Sequence, residues 1–170
     1  LSPRCFGGRV MRLLIAAVGR LKQGPEQDLF AHYIARADAA GRKLGLGPLS
    51  SIEISESRKE TQALRLAAEE AALLAKSGRA QTMICLDPKG KELSSEKFAQ
   101  TLAKYRDGGT QSLAFLIGGA DGLGEEALAK ADLRLSLGPM ILPHGLARIV
   151  LAEQIYRAET ILAGHPYHRG

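Results

Sequence analysis

Two short stretches of this chain carry the side chains that chemistry needs. The first is His165-Pro166-Tyr167-His168-Arg169, which gathers two imidazoles, a phenol and a guanidinium at the C-terminal end. Tyr and His rings stack on nucleobases, Arg holds phosphate, and His moves a proton near neutral pH. A frayed, solvated tail is the plainer reading of the same residues. The second stretch is Leu142-Pro143-His144, with Arg148 four residues on. Proline suits a helix start, where its missing N–H costs nothing. Arg148 then lies one turn beyond His144 on the same face, and a cation there opposes the helix dipole, so it calls for an anionic partner. His144 is either a polar residue of the helix start or a proton carrier. Glu153, set among Val150, Leu151, Ala152 and Ile155, reads as a structural hydrogen-bonding group.

A third set of residues offers backbone rather than side chains. The run LSLGPMIL, residues 135–142, begins as a strand but carries Gly138-Pro139 in its apolar part. Proline removes a ladder donor and glycine weakens a strand, so the run must become a loop whose N–H and C=O groups are free for a flat ligand. Gly118-Gly119 closes another apolar strand without the spacing of a dinucleotide or phosphate loop. Those glycines serve either a tight turn or the close approach of a ligand. Asp87, before Pro88, opens a turn or contacts a ribose or amino acid at a strand end.

The elements that position these residues alternate. Apolar runs at 12–19, 49–57, 81–87, 111–117 and 133–137 read as strands, the third ending in the turn DPKGK. Between them lie helical segments at 25–44, 60–78, 94–107 and a short one carrying Glu125 and Glu126. A last helix, 144–164, is stopped by Gly164 and Pro166. Ala63, Leu64, Ala67, Ala71 and Leu74 mark the expected buried stripe of the second helix, with Gly78 as its cap. Phe98, Leu102 and Tyr105 mark that of the third. Such β-α alternation predicts an α/β fold, a mostly parallel open sheet with helices on both faces. Ligands of such sheets bind at the carboxyl ends of strands. Leu86-Asp87-Pro88, Ile117-Gly118-Gly119 and residues 137–142 should therefore converge on one pocket.

Composition narrows the function classes. No apolar run is long enough for a membrane span, and two cysteines rule out a disulfide scaffold. Cys5 and Cys85 read as reduced thiols of a cytoplasmic protein, and no Cys/His cluster suggests a metal. The first 22 residues hold Arg4, Arg9, Arg12, Arg20 and Lys22 and no acid, leaving 18 basic against 18 acidic residues elsewhere. A general basic coating for nucleic acid is thereby excluded, and a polyanion would have to be met by local patches. Residues 1–10 read as a disordered leader ahead of a single domain over 11–170.

The segments LDPKGK, FLIGGADG, LPHGLARIVLAEQIYRA and HPYHR resemble, in that order, the small SPOUT-family RNA methyltransferases of RlmH type, and the resemblance runs from Met11 to Gly170. Relatives commonly have Pro-Glu-Gly where this chain has Ala120-Asp121-Gly122, and a larger residue at Gly145; neither change removes a functional group. The resemblance implies an α/β-knot fold, its C-terminal segment threaded as a trefoil knot, and a homodimer. It implies S-adenosylmethionine as cofactor, held by Leu86, Gly118, Gly119 and the backbone of Leu137, Gly138, Pro139, Met140, Ile141 and Leu142. It implies methylation at N3 of a pseudouridine in large-subunit rRNA on the assembled ribosome, with Arg20 and Lys22 on phosphate. His168 or Tyr167 would contact the base, Arg169 and Arg148 would hold phosphate or the imide anion, and His144 is the alternative base. A non-catalytic ribosome-binding protein and a methyltransferase of another RNA, such as tRNA, are the rival readings.

Overall fold

A computed structural model describes residues 9–77 and 79–169. The expected leader over 1–10, Cys5 and the cap at Gly78 therefore lie wholly or mostly outside the described residues. Five strands form one all-parallel sheet in the order β2-β1-β4-β3-β5. They are β1 (Met11–Val18), β2 (Leu46–Ile54), β3 (Thr82–Glu92), β4 (Ser112–Ile117) and β5 (Leu133–Ser136). The helices are α1 (Pro25–Arg42), α2 (Gln62–Ser77), α3 (Ser95–Asp107), α4 (Glu125–Lys130) and α5 (His144–Ala163). The α/β alternation and the helices on both faces follow the expectation from sequence.

The continuous apolar runs of β1 and β4 belong to central strands buried on both faces. Alternate residues feed two cores. Leu13, Ile15, Leu113, Phe115 and Ile84 pack under α1, α3 and α5. Ala16, Val18, Leu116, Ala114 and Cys85 pack under α2 and α4. Burial pushes the Cys85 thiol up to about 11, which keeps it protonated and inert at neutral pH. Pro48 is tolerated inside β2 because that strand lies at the sheet edge, where a missing ladder donor faces no partner.

Two details correct the reading from sequence. β3 does not end at Asp87: Leu86 and Lys91 both stand opposite Leu135, so residues 87–90 bulge out and the strand resumes to Glu92. In α2 the expected stripe is on the wrong face. Ala63, Leu64, Ala67 and Ala71 are exposed, Leu74 alone of the five is half-buried against the core, and Glu69, Leu73 and Ser77 are buried. An alanine-rich helix offers several weakly apolar stripes, and here Leu73, with Ala72 and Leu74, takes the core face, to which Glu69 and Ser77 also turn. Glu69 accepts the Ser57 N–H at 2.9 Å, and the Ser77 hydroxyl donates to Leu73 O at 2.6 Å.

α5 is buried on most sides because α1 and α3 flank it. It contains one carboxyl group with no exposure and no hydrogen-bond partner on either oxygen, that of Glu159. Desolvation, and then the nearby charge of Asp38, push its pKa up to about 9. A raised carboxyl pKa means stability that is complete below the unfolded value and lost as pH rises toward the folded one. Glu159→Gln should therefore melt with the wild type near pH 4 and above it at pH 8. Linkage puts the gain at about 3 kcal/mol near neutrality. Thermal melts across that range check both the sign and the window.

Candidate active site

The carboxyl ends of β4 and β5 and the bulge of β3 open into a cavity of about 380 Å³. Leu86, Asp87, Pro88, Ile117, Gly118, Gly119, Leu137, Gly138, Met140, Ile141 and Leu142 all line it, so the three segments do converge, although the first is a bulge within β3 and not its end. Pro139 is exposed and is not part of the lining. The walls are mostly apolar, and residues 137–142 belong to no helix or strand, which leaves backbone groups for a ligand. Ser136, 5% exposed, shapes this loop: its hydroxyl accepts the Gly138 N–H at 3.1 Å and reaches Pro88 O and Gly138 O.

The glycines of the β4 loop have reasons inside the protein. A Cβ at Gly118 would stand 2.3 Å from Gly122 O and 2.8 Å from Leu123 N. At Gly119 it would meet Val18 Cγ1 at 3.0 Å and Glu69 Oε2 at 3.3 Å. The loop doubles back through a Gly122 N–H bond to Gly119 O of 3.0 Å. The tight-turn reading thus holds, and the turn it makes is also a cavity wall. Asp87 similarly takes the Lys89 N–H at 3.0 Å, a local turn bond, while lining the cavity.

A second, wider cleft of about 1180 Å³ lies beyond the ends of β1 and β2. It is lined by Arg20, Lys22 and Arg58, by Glu56, and by the first turn of α1. His144 belongs to both openings and forms their common wall. Its ring lies against Gly19, where a Cβ would come within 2.8 Å of Cε1, so only glycine lets it seat there. Nδ1 is enclosed without a partner, and Nε2 faces Glu56 Oε1 at 3.5 Å.

Arg148 is not free to hold a substrate anion. The guanidinium is 1% exposed and donates to Glu53 Oε2 at 2.8 Å, Val18 O at 3.2 Å and Gly19 O at 2.9 Å. The anionic partner inferred from helix position exists, but it is internal. Arg148 ties α5 to the ends of β1 and β2, and Glu53 also accepts the Leu21 N–H at 2.7 Å, holding the cleft loop.

The C-terminal residues fold back along α5 instead of reaching the cavity. Tyr167 donates to Glu153 Oε1 at 3.2 Å and packs edge-on against Tyr156. Burial, with bonds to Tyr33 and Glu153, pushes the Tyr167 phenol up to about 12, so it donates hydrogen bonds and does not ionise. Glu153 also accepts from Arg157 and Gln154, the structural role read for it. His168 lies between Arg157, 3.3 Å from Nδ1, and Glu96, 2.7 Å from Nε2. Arg157 can only donate, so Nδ1 accepts and Nε2–H donates to Glu96. Arg169 is exposed. None of these tail residues lines either opening. Arg157 lies 13 residues along α5 from His144, about 20 Å at the helical rise. Glu53, Glu56, Arg58 and Ser136 escaped the reading from sequence. Each looked like a solvated strand or loop residue, and only sheet order brings them to the site.

A doubly wound parallel sheet with its openings at the carboxyl edge and a built loop after β5 matches a known class. The chain belongs to the SPOUT methyltransferases: residues 11–168 match the family described as "Predicted SPOUT methyltransferase". Within that class it is of RlmH type. It is 55% identical over 159 residues to the ribosomal RNA large subunit methyltransferase H of Xanthobacter autotrophicus, covering 94% of this chain and 99% of the relative. The protein of the same name from Dinoroseobacter shibae is 51% identical over 160 residues, with the same coverage. In fold the chain resembles a probable methylase family protein from Haemophilus influenzae Rd KW20, with a TM-score of 0.50 and 14% identity over 94% of this chain and 70% of that one. Among the described residues there is no cluster of His, Cys, Asp and Glu that could hold a metal, and no helix long and apolar enough to cross a membrane.

Proposed function

We propose that this protein is a cytoplasmic, S-adenosylmethionine-dependent methyltransferase of large-subunit rRNA, acting at N3 of a pseudouridine on the assembled ribosome. The observation that carries the reading is the shared wall: His144 separates a mostly apolar cavity from a wider cleft bearing three cations beside Glu26 and Glu56. The cavity, about 380 Å³, falls within the range of about 300–1,000 Å³ usual for small-molecule sites. Leu86, Ile117 and Leu142 suit the faces of an adenine, and the backbone of 137–142 suits its edge. When bound, S-adenosylmethionine supplies a methyl group on a sulfonium, which departs as a neutral thioether.

The protein's own task is then alignment and one proton. The imide N3–H is weakly acidic, and its nitrogen becomes nucleophilic on losing that proton. His144 Nε2 takes it, and Glu56, facing the same nitrogen, stabilises the imidazolium. Arg20, Lys22 and Arg58 hold phosphates along the cleft. His168, with both ring nitrogens engaged within its own chain, is a weaker candidate for the base.

The tail enters through a second copy. In its own chain it is far from the cavity, whereas Met140 and Ile141, 81% and 90% exposed at the cavity mouth, and Leu146 at 42% offer an apolar face to a partner. We therefore place Tyr167, His168 and Arg169 of one protomer at the cleft of the other, in a homodimer. The C-terminal trefoil threading is part of the same proposal.

Labelled methyl transfer to ribosomes, free large-subunit RNA and tRNA tests the whole. Label at a pseudouridine on ribosomes alone supports the reading; label on tRNA overturns the substrate; cofactor binding without transfer to any of them favours a non-catalytic binding protein. In mixed dimers, a His144→Ala subunit and a subunit truncated after Gly164 should together regain about half the activity of one intact site per dimer. No recovery beyond either parent would place both functions in one chain.

A further inference from the structure

Three residues of α2 or facing it join the cavity loop to the cleft loop. Arg65, in the first turn of α2, donates from Nε to Asp121 Oδ2 at 2.7 Å and from Nη2 to Oδ1 at 3.4 Å. Asp121 sits between cavity residues Ala120 and Gly122. The same guanidinium donates from Nη1 to Lys59 O and Glu60 O, both at 3.2 Å, in the segment that follows the cleft residues Ser55–Arg58. One turn later, Glu69 Oε1 accepts the Ser57 N–H at 2.9 Å. Its Oε2 has no partner, and a Cβ on Gly119 would stand 3.3 Å from it. The Arg65–Asp121 pair is largely shielded, with side chains 31% and 19% exposed, so water screens it less than an open surface pair. Neither Arg65, Glu69 nor Asp121 lines the cavity or the cleft.

We propose that Arg65, Asp121 and Glu69 are positioning residues that couple the two openings, so that a ligand in the cavity orders the cleft loop at 55–61. This rests on the proposed assignment of cofactor to cavity and RNA to cleft. Two loops of a parallel sheet ordinarily move independently, since each is tied only to its own strand and helix. Here one guanidinium binds both, and a carboxylate holds one loop while abutting the other. A ligand seated against Gly118 and Gly119 fixes the turn at 119–122, hence Asp121, hence Arg65 and the carbonyls of 59 and 60. Coupling is reciprocal: RNA in the cleft raises cofactor affinity by the same factor. The enzyme thus presents an ordered acceptor cleft only when the cavity is filled.

The test is hydrogen exchange on the full chain with and without S-adenosylhomocysteine, which fills the cavity but cannot transfer a methyl. In the wild type, amides at 55–61, which do not line the cavity, should gain protection of about tenfold on saturation. Arg65→Ala and Asp121→Asn should bind S-adenosylhomocysteine within about threefold of wild type yet lose that gain, and Asp121→Glu should keep it. Glu56→Gln, which cuts the other link between the cleft loop and His144, should also keep it. A wild type that binds S-adenosylhomocysteine without protecting 55–61, or an Arg65→Ala protein with undiminished protection, overturns the coupling and leaves the proposed reaction standing. Failure of the wild type to bind S-adenosylhomocysteine overturns both.

Discussion

Gly118→Ala should lose cofactor affinity by about 5- to 150-fold, and methyl transfer with it. The added carbon would stand 2.3 Å from Gly122 O and 2.4 Å from Gly122 C, both main-chain atoms. No side chain can swing aside. Relief requires the loop to open, which breaks the Gly122 N–H bond to Gly119 O and moves the wall formed by Gly118, Gly119 and Ala120. Overpacking of this kind costs about 1–3 kcal/mol, and restoring the wall to bind the cofactor incurs that cost, which converts to the range given. Gly109→Ala is the control. Its φ of +96° is strained for alanine, but the new carbon meets nothing nearer than Arg9 Nη1 at 3.8 Å and the residue does not line the cavity. That variant should lose about 1–2 kcal/mol of stability while keeping affinity within a few-fold. Calorimetry with S-adenosylhomocysteine, alongside thermal melts, separates the two. Wild-type affinity in Gly118→Ala would show that this wall does not touch the ligand.

Arg148→Ala should unfold the protein far more readily, by about 3–5 kcal/mol, because removing one member of a buried pair strands the other. Glu53 would keep the Leu21 N–H but lose its cation, and the carbonyls of Val18 and Gly19 would lose their donors. Arg148→Lys should recover little, since one ammonium cannot span a carboxylate and two carbonyls as the planar fork does. Glu53→Gln should cost less, because an amide oxygen can still accept from both donors. A substrate-binding role predicts the opposite pattern, with normal urea unfolding and lost transfer. Urea denaturation of the three variants therefore decides whether Arg148 holds the fold or the substrate.

The fold was legible because the apolar runs are short, close at glycine in three of five cases and alternate with helical segments, a pattern that leaves few architectures. Convergence of Leu86, Gly118 and the 137–142 loop could likewise be inferred, since parallel strands deliver their carboxyl ends to one edge. What could not be read is which residues face one another across that edge. The charge of Arg148 was unfavourable on its own helix, and that signal was sound. Its partner, Glu53, lies 95 residues away on a strand whose alternation made it look solvated. The buried face of α2 was misread for a related reason. Periodicity ranks apolar stripes, but in an alanine-rich helix the ranks are close, and Leu73 turns inward with a carboxylate, Glu69, on the same face. The tail shows the limit most clearly. Its composition announces chemistry, yet within one chain its groups are taken up by Glu96, Glu153 and Arg157.

Among the described residues of one chain the cleft is lined by three cations, Arg20, Lys22 and Arg58, and Arg169 of a second copy would bring a fourth. If each neutralises one phosphate, the affinity for RNA should fall with a slope of about −2.8 to −3.6 against log salt. A fourfold rise in salt would then weaken binding by about 50- to 150-fold, well short of the loss shown by proteins that cling to nucleic acid through charge. So small an ionic component gives bulk RNA little hold on this surface. An enzyme built this way is not titrated away by the cell's excess of unrelated transcripts, and it leaves the choice of target to shape and to contacts that salt does not reach.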